Sequence, residues 1–295
     1  MISTFISIAI LSALGIIAFF IVFNYQMQRA FHLPHKRCAK VPTDFKISYD
    51  EHIIQTNYHK KLQLWELGPN ADSRNVIIGV NGWKRSVDNL LPLAAELQAD
   101  AHVYLLSTRN HCKSDNSRFI SIISFKDDIH AAVDYVRDKH GPDVNIILMG
   151  YSYGACAALY SAYGNTDVQG CILLSPFANL SEVVRLRFIE NRIPTAFIDN
   201  MIRFVEFRAG EEFNNVAPEN LIPQMYKPIF LVQESLVPLD GLRRLFDVKF
   251  INDCSKNYVI NNFDILAPLD SGLDIAELKD FIKKMINPVK PAQVE

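Results

Sequence analysis

The segment Gly150-Tyr151-Ser152-Tyr153-Gly154 places a serine between two glycines, directly after the apolar run 144–149 and before the alanine-rich run 155–163. A serine hydroxyl becomes a covalent nucleophile when a sharp strand-to-helix turn projects it outward, a base takes its proton, and N–H groups face the charge that develops on the substrate. Glycines on either side let strand and helix approach closely enough to make such a turn. Ser152 is therefore a candidate nucleophile, with Gly150 and Gly154 as the glycines its turn requires. A plain strand-helix turn is the competing reading.

The base is the difficulty. The usual partner is imidazole, yet no histidine follows His140 in the chain. Among the earlier ones, His111 is expected on a loop at the right end of a strand. His130 borders the apolar stripe of a helix and is expected in solvent. His102 begins a strand and reads as structural, and His32 and His35 fall in a solvated linker. No cluster with metal-ligand spacing, no dinucleotide fingerprint and no phosphate loop is visible, so neither a metal nor a cofactor is expected.

Residues of this kind need a scaffold. Eight short apolar runs occur near "FKISY", "LQLWEL", "NVIIGV", "HVYLL", "VNIILM", "VQGCILL", "KPIFLV" and "NYVI". Between them lie helical patterns such as "VDNLLPLAAEL" and "FKDDIHAAVDYVRDKHGP". In the latter, Phe125, Ile129, Ala132, Val133 and Val136 fall on one face, and Gly141 and Pro142 stop it. Alternation of this sort predicts an α/β fold, a doubly wound and mostly parallel sheet covered by helices on both faces. The stretch 181–212 breaks the alternation with helical sequence split by Pro194 and is too long for an ordinary crossover, so it is read as a small helical cap. An enlarged crossover helix is the alternative.

From about residue 45 onward the chain resembles the α/β-hydrolases, particularly the lipase-like and serine-aminopeptidase-like branch, which includes membrane-anchored members. The likeness rests on "GYSYG", on "VNGWKRS" after the third strand, on "STRNHCKSD" after the fourth, on "LLSPFANL" after the sixth, and on "APENLIPQMYKPIFLVQESLVP" leading into the seventh. The resemblance implies Ser152 as nucleophile and the backbone N–H groups of Trp83 and Tyr153 as the oxyanion hole. Asn81 stands where the family has a histidine before Gly82. Glu234 of "ESLVP" takes the place of the acid, with Asp240 as the spare candidate and a surface glutamate as the bland reading. The family's histidine would fall in "NNFDILAP", where Asp264 or Ile265 stands instead. A carboxylate there accepts a proton but has a low ordinary pKa and lacks the donor-acceptor geometry of imidazole.

The 295-residue chain carries a net charge of −2, which leaves no electrostatic footprint for nucleic acid. Residues 2–23 contain no charge and are long enough to cross a hydrocarbon core of about 30 Å. A cleaved signal would want a basic start, a shorter apolar run and a small-residue cleavage site, none of which is present. Arg29, Lys36, Arg37 and Lys40 follow the run, so the positive-inside rule puts the remainder on the cytoplasmic side. Five cysteines without metal spacing agree, as free thiols of a reducing compartment.

The expected organisation is a transmembrane anchor at 1–24, a juxtamembrane linker at 25–43, an α/β-hydrolase domain at 44–288 with its cap near 181–212, and a tail at 289–295. The expected function is a membrane-anchored serine hydrolase acting on an ester, thioester or amide through Ser152, with activity weakened or lost for want of a histidine. A catalytically inactive binding or regulatory module on the same fold is the alternative. The lipid bilayer is the expected partner of the first helix, and a small acyl or lipid-like molecule the expected ligand of the cleft.

Overall fold

The computed structural model describes residues 2–68, 73–235, 249–251, 253–261, 263–268 and 270–285. Eight strands form one sheet: β1 Tyr49–Gln55, β2 Lys61–Leu67, β3 Asn75–Val80, β4 His102–Leu106, β5 Asn145–Tyr151, β6 Val168–Leu174, β7 Ile229–Ser235 and β8 Lys256–Asn261. Their spatial order is β1-β2-β4-β3-β5-β6-β7-β8. Only β2 runs antiparallel to its neighbours, β1 and β4; the remaining pairs are parallel. The helices are α1 Ile2–Phe31, α2 Leu91–Leu97, α3 Ile122–His140, α4 Tyr153–Ala162, α5 Leu180–Glu190, α6 Thr195–Ala209, α7 Pro218–Leu221 and α8 Ile275–Lys284.

The central strands β3 and β4 are buried along their whole length, as strands covered on both faces must be. One face carries α3, α4 and the cap; the other carries α2 and α8. The predicted stripe of α3 is buried at every position. That helix starts with a reciprocal cap, in which Ser121 Oγ accepts from Ser124 N and Ser124 Oγ from Ser121 N, and it stops at Gly141, whose φ of 82° suits glycine.

The cap consists of α5 and α6, separated by a break at 191–194 that Pro194 closes. Val184, Phe188, Ile198, Met201, Ile202 and Val205 join the α3/α4 cluster, whereas Phe197 and Phe207 stay exposed. The predicted strand at "FKISY" lies further on. Pro42–Phe45 form a 3-10 turn, Lys46 takes a φ of 59°, and the strand begins only at Tyr49.

The N-terminal segment departs most from expectation. The helix runs on to Phe31, past the boundary expected at residue 24, and its last turns pack on the domain. Met27 is buried, and the Phe23 ring meets Phe204 of α6 edge-on at 4.9 Å. The segment behind it is docked rather than free. Lys36 N donates to Asn110 O and Cys112 N to Lys36 O, Asn110 Nδ2 donates to Leu33 O, and Ala39 N and Lys40 N both donate to Asp88 Oδ2. His35 is exposed as expected but not idle: its ring nitrogens meet Asn116 Oδ1 at 2.8 Å and Cys112 O at 2.7 Å.

Cys38 and Cys112 form a disulfide, which corrects the expectation of five free thiols. Cys156, Cys171 and Cys254 are free, and burial pushes the first two thiols up to about 12, as befits small core residues. His130 is likewise corrected. It is half-buried, with its Nε2 closed off from solvent and without a hydrogen-bond partner, and burial lowers its pKa.

By length and composition 4–29 can cross a membrane, a test that a signal sequence also passes. The tail expected at 289–295 lies outside the described residues.

Candidate active site

Ser152 sits at the turn between β5 and α4 with φ 55° and ψ −118°, a conformation that a residue with a side chain rarely adopts. Holding it there costs on the order of 1–3 kcal/mol, which the surroundings must offset. Ser152 N donates to Leu174 O at 2.8 Å, and Ser152 O accepts from Ala155 N and Cys156 N.

The flanking glycines are obligatory for steric reasons. A Cβ on Gly150 would lie 2.3 Å from Gly154 O, and one on Gly154 would lie 2.2 Å from Asn81 O. The serine is thus held where strand, helix and the loop after β3 press together.

That loop brings Trp83 to the site. A Cβ on Gly82 would stand 3.6 Å from Ser152 Cβ. The Trp83 ring then packs edge-on against Tyr153 at 4.9 Å and stacks near Phe125 at 6.4 Å. Among the described residues, the backbone N–H groups of Trp83 and Tyr153 have no acceptor. Asn81, in the place of the family's histidine, is structural. Its Oδ1 accepts from Thr108 N at 3.0 Å and from Thr108 Oγ1 at 3.2 Å, and its Nδ2 donates to Gly82 O at 2.9 Å. It ties the β3 loop to the β4 loop.

The β4 loop is fixed in turn by a buried ion pair. Arg109 Nη2 reaches Asp128 Oδ1 of α3 at 2.6 Å, and Arg109 N and Nε donate to the same carboxylate. Neither residue stood out in the sequence as a pair; only the "STRNHCKSD" motif hinted that Arg109 mattered.

None of the eight histidines hydrogen-bonds the Ser152 hydroxyl among the described contacts. His111 does lie at the correct end of the sheet, but it is fully buried. Its Nδ1 sits 3.0 Å from Arg109 O and 3.2 Å from Thr108 Oγ1, and its Nε2 is closed off from solvent. Burial lowers its pKa to about 4 against hydrogen bonds to the carbonyls of Arg109 and Trp83, so the ring is neutral at pH 7.

At the position expected of the base, Asp264 is exposed and spends Oδ1 on Leu266 N at 3.0 Å, while Ile265 is buried in the cluster under α2 and α8. Glu234 lies in β7 with its backbone opposite Ile260; its side chain, and Asp240, lie outside the described residues.

Beside the serine, the cap closes over an apolar cavity of about 60 Å³, walled by Trp83, Tyr153, Phe177, Val184 and Val205, with Arg187 of α5 as its one charged side chain. That is room for a few water molecules and not for an acyl chain. Sequence patterning named the apolar cap residues but not Arg187, because a lone arginine on a helix carries no pattern.

The family model for serine aminopeptidase, S33, a class of hydrolases, matches residues 71–220, which hold β3 through the cap and include the elbow. The chain belongs to this family. Solved structures show the same fold for this S33 hydrolase. An esterase of Pyrococcus furiosus, Pf2001, is similar with a TM-score of 0.64 at 20% identity, over 86% of this chain and 98% of that one. An α/β-hydrolase of Penicillium, GrgF, has a TM-score of 0.55 at 15% identity over 81% and 99%. A mutant of the N-acyl homoserine lactonase AidH, complexed with N-hexanoyl homoserine, has a TM-score of 0.54 at 15% identity over 84% and 100%. No curated protein matches the chain.

Proposed function

We propose that the protein is a membrane-anchored serine hydrolase of low intrinsic activity, in which Ser152 attacks an apolar acyl ester, thioester or amide. The backbone of Ser152 carries this reading, because a strained φ of 55° at a strand-helix turn is what an exposed nucleophile needs and a plain turn does not. The free N–H groups of Trp83 and Tyr153 would hold the oxyanion, and water would release the acyl group. The low activity follows from the missing imidazole. In another serine hydrolase, loss of the histidine costs about 10⁶-fold in turnover, and about 10³–10⁴ over water survives through binding and the oxyanion hole.

The ligand class follows from the cap. Val205 of α6 walls the cavity, while its neighbour Phe204 packs on Phe23 of the anchor helix, and Arg208 Nη1 reaches Asn24 Oδ1 at 3.5 Å. One helix thus touches both the anchor and the acyl pocket. Admitting a chain requires moving α5 or α6, next to the place where α1 would leave the bilayer, which favours lipid-like substrates.

The side of the membrane is drawn two ways. The basic flank of Arg29, Lys36, Arg37 and Lys40 favours the cytoplasm, whereas a disulfide such as Cys38–Cys112 persists in oxidising compartments. Alkylation of the two cysteines in intact cells, before and after reduction, decides between them.

The enzymatic reading is tested with a fluorophosphonate probe on the full chain in detergent and on Ser152→Ala. Covalent labelling that vanishes in the variant supports it. Folded wild-type protein that never labels would leave the binding-module alternative.

A further inference from the structure

At the end of the sheet opposite Ser152, three donors from distant parts of the chain converge. They are Glu66 near the end of β2, His102 at the start of β4 and His140 at the end of α3. One ligand atom from each lies within 4.8 Å of the others. Zinc bonds of about 2.0–2.1 Å in a tetrahedron set donors about 3.4 Å apart, so side-chain rotations alone would complete the geometry. We infer that Glu66, His102 and His140 form a binding site for a divalent transition-metal ion of the zinc class, distinct from the serine site.

The chemistry of the pocket supports this. Two imidazoles and a carboxylate are a borderline donor set, suited to zinc and its neighbours rather than to magnesium or calcium. His102 is 4% exposed, and its Nε2, closed off from solvent, lies 3.0 Å from Glu66 Oε1 and is aimed into the cluster. The His102 and His140 rings stand 4.8 Å apart at 73°, a crossed arrangement that lets both nitrogens face one point.

Three neighbours complete the picture. His52 Nε2 lies 2.6 Å from Glu66 Oε2 and is placed to orient the carboxylate or to serve as a fourth ligand. Tyr104 Oη lies 2.7 Å from His140 Nε2 and also bonds Glu66, so it would keep the carboxylate when the metal takes that nitrogen. Lys139 bonds Glu66 Oε2 and is the resident cation. Its side chain is about one-third exposed, so it can swing into solvent as the metal enters. Sequence spacing hides the site because its donors lie on separate elements.

The role of Lys139 makes the test sharp, since a cation that competes with the metal for Glu66 predicts tighter zinc on its removal, and a simple ion pair predicts no zinc with or without it. The full chain in detergent is stripped with chelator and dialysed against zinc chloride, and bound metal is counted by mass spectrometry. One zinc per chain is expected, lost in His102→Ala and in Glu66→Gln. Lys139→Met should retain the zinc and hold it more tightly against a competing chelator dye. No bound zinc, zinc kept unchanged in His102→Ala, or weaker binding in Lys139→Met would each overturn the inference. The wild-type and Lys139→Met measurements decide it even if the ligand variants fail to fold.

Discussion

The two sides of the serine are built differently. On the β3–β5–α4 side, each feature that a nucleophile needs is held by steric necessity: two glycines without room for a Cβ, a serine at positive φ, and a tryptophan loop wedged against it. After β8, where the family resemblance puts the base, stand an exposed aspartate bonded to its own loop and an isoleucine sunk in the core. The comparison teaches that positioning and activation are separable. The strained backbone geometry at Ser152 stands complete, while among the described residues no histidine hydrogen-bonds its hydroxyl.

The largest effects should come from the elbow side. Asp128→Ala leaves the buried Arg109 guanidinium with only Asp127, at 4.0 Å and beyond hydrogen-bond reach, beside the loop that supports Asn81. Breaking such a pair costs about 3–5 kcal/mol, so chemical denaturation should show a loss of that order. A smaller loss would mean that the β4 loop does not brace the elbow. Gly154→Ala forces a methyl group into Asn81 O. Overpacking typically costs about 1–3 kcal/mol, and the upper end is expected because the obstacle is backbone. A stable Gly154→Ala protein that still labels with fluorophosphonate would show that the turn has room for a Cβ at this position.

An intermediate effect is set by pH. His111 has its pKa lowered to about 4 from an ordinary 6.5, so it binds its proton less readily when folded. Its contribution to stability is complete above pH 6.5 and is lost as pH falls towards 4, amounting to about 2 kcal/mol by pH 5. Unfolding curves at pH 7.5 and 5 should therefore converge more closely for His111→Gln than for the wild type. An unchanged pH difference would place the acid sensitivity elsewhere, His130 and His102 being shifted in the same direction.

The smallest effect belongs to the vacant side. Asp264→Ala removes one exposed bond to Leu266 N, worth about 1 kcal/mol or less, and should leave serine-dependent labelling unchanged. A loss of labelling would make Asp264 the working base after all.

Much of this contrast was legible in the sequence. Seven of the eight strands declare themselves as apolar runs, whereas β1, mostly exposed, lies beyond "FKISY"; "GYSYG" marks the elbow because its glycines are forced by local geometry. The absence of a histidine after His140 is equally plain. What escaped was long-range. The Cys38–Cys112 bond spans 74 residues and depends on the segment after α1 folding back along the β4 loop, which no local pattern encodes. Arg109 and Asp128 pair across a loop and a helix, and Asp128 lies on the buried face of α3, where the pattern alone announces only apolar residues. His130 was misplaced in solvent because the packing of α4 on α3 closes off a position that lies at the edge of the stripe.

The central claim, a serine that is positioned but not activated, is met most directly by restoring an imidazole on the vacant side. The serine-dependent rate of hydrolysis of an activated p-nitrophenyl ester is measured for the wild type, Ser152→Ala and Asp264→His. General bases contribute about 10²–10⁴-fold. A slow wild-type rate that disappears in Ser152→Ala and rises about 100-fold in Asp264→His is expected. A fast wild-type rate that Asp264→His leaves unchanged and His111→Gln abolishes would contradict it, and would place the base on the β4 loop.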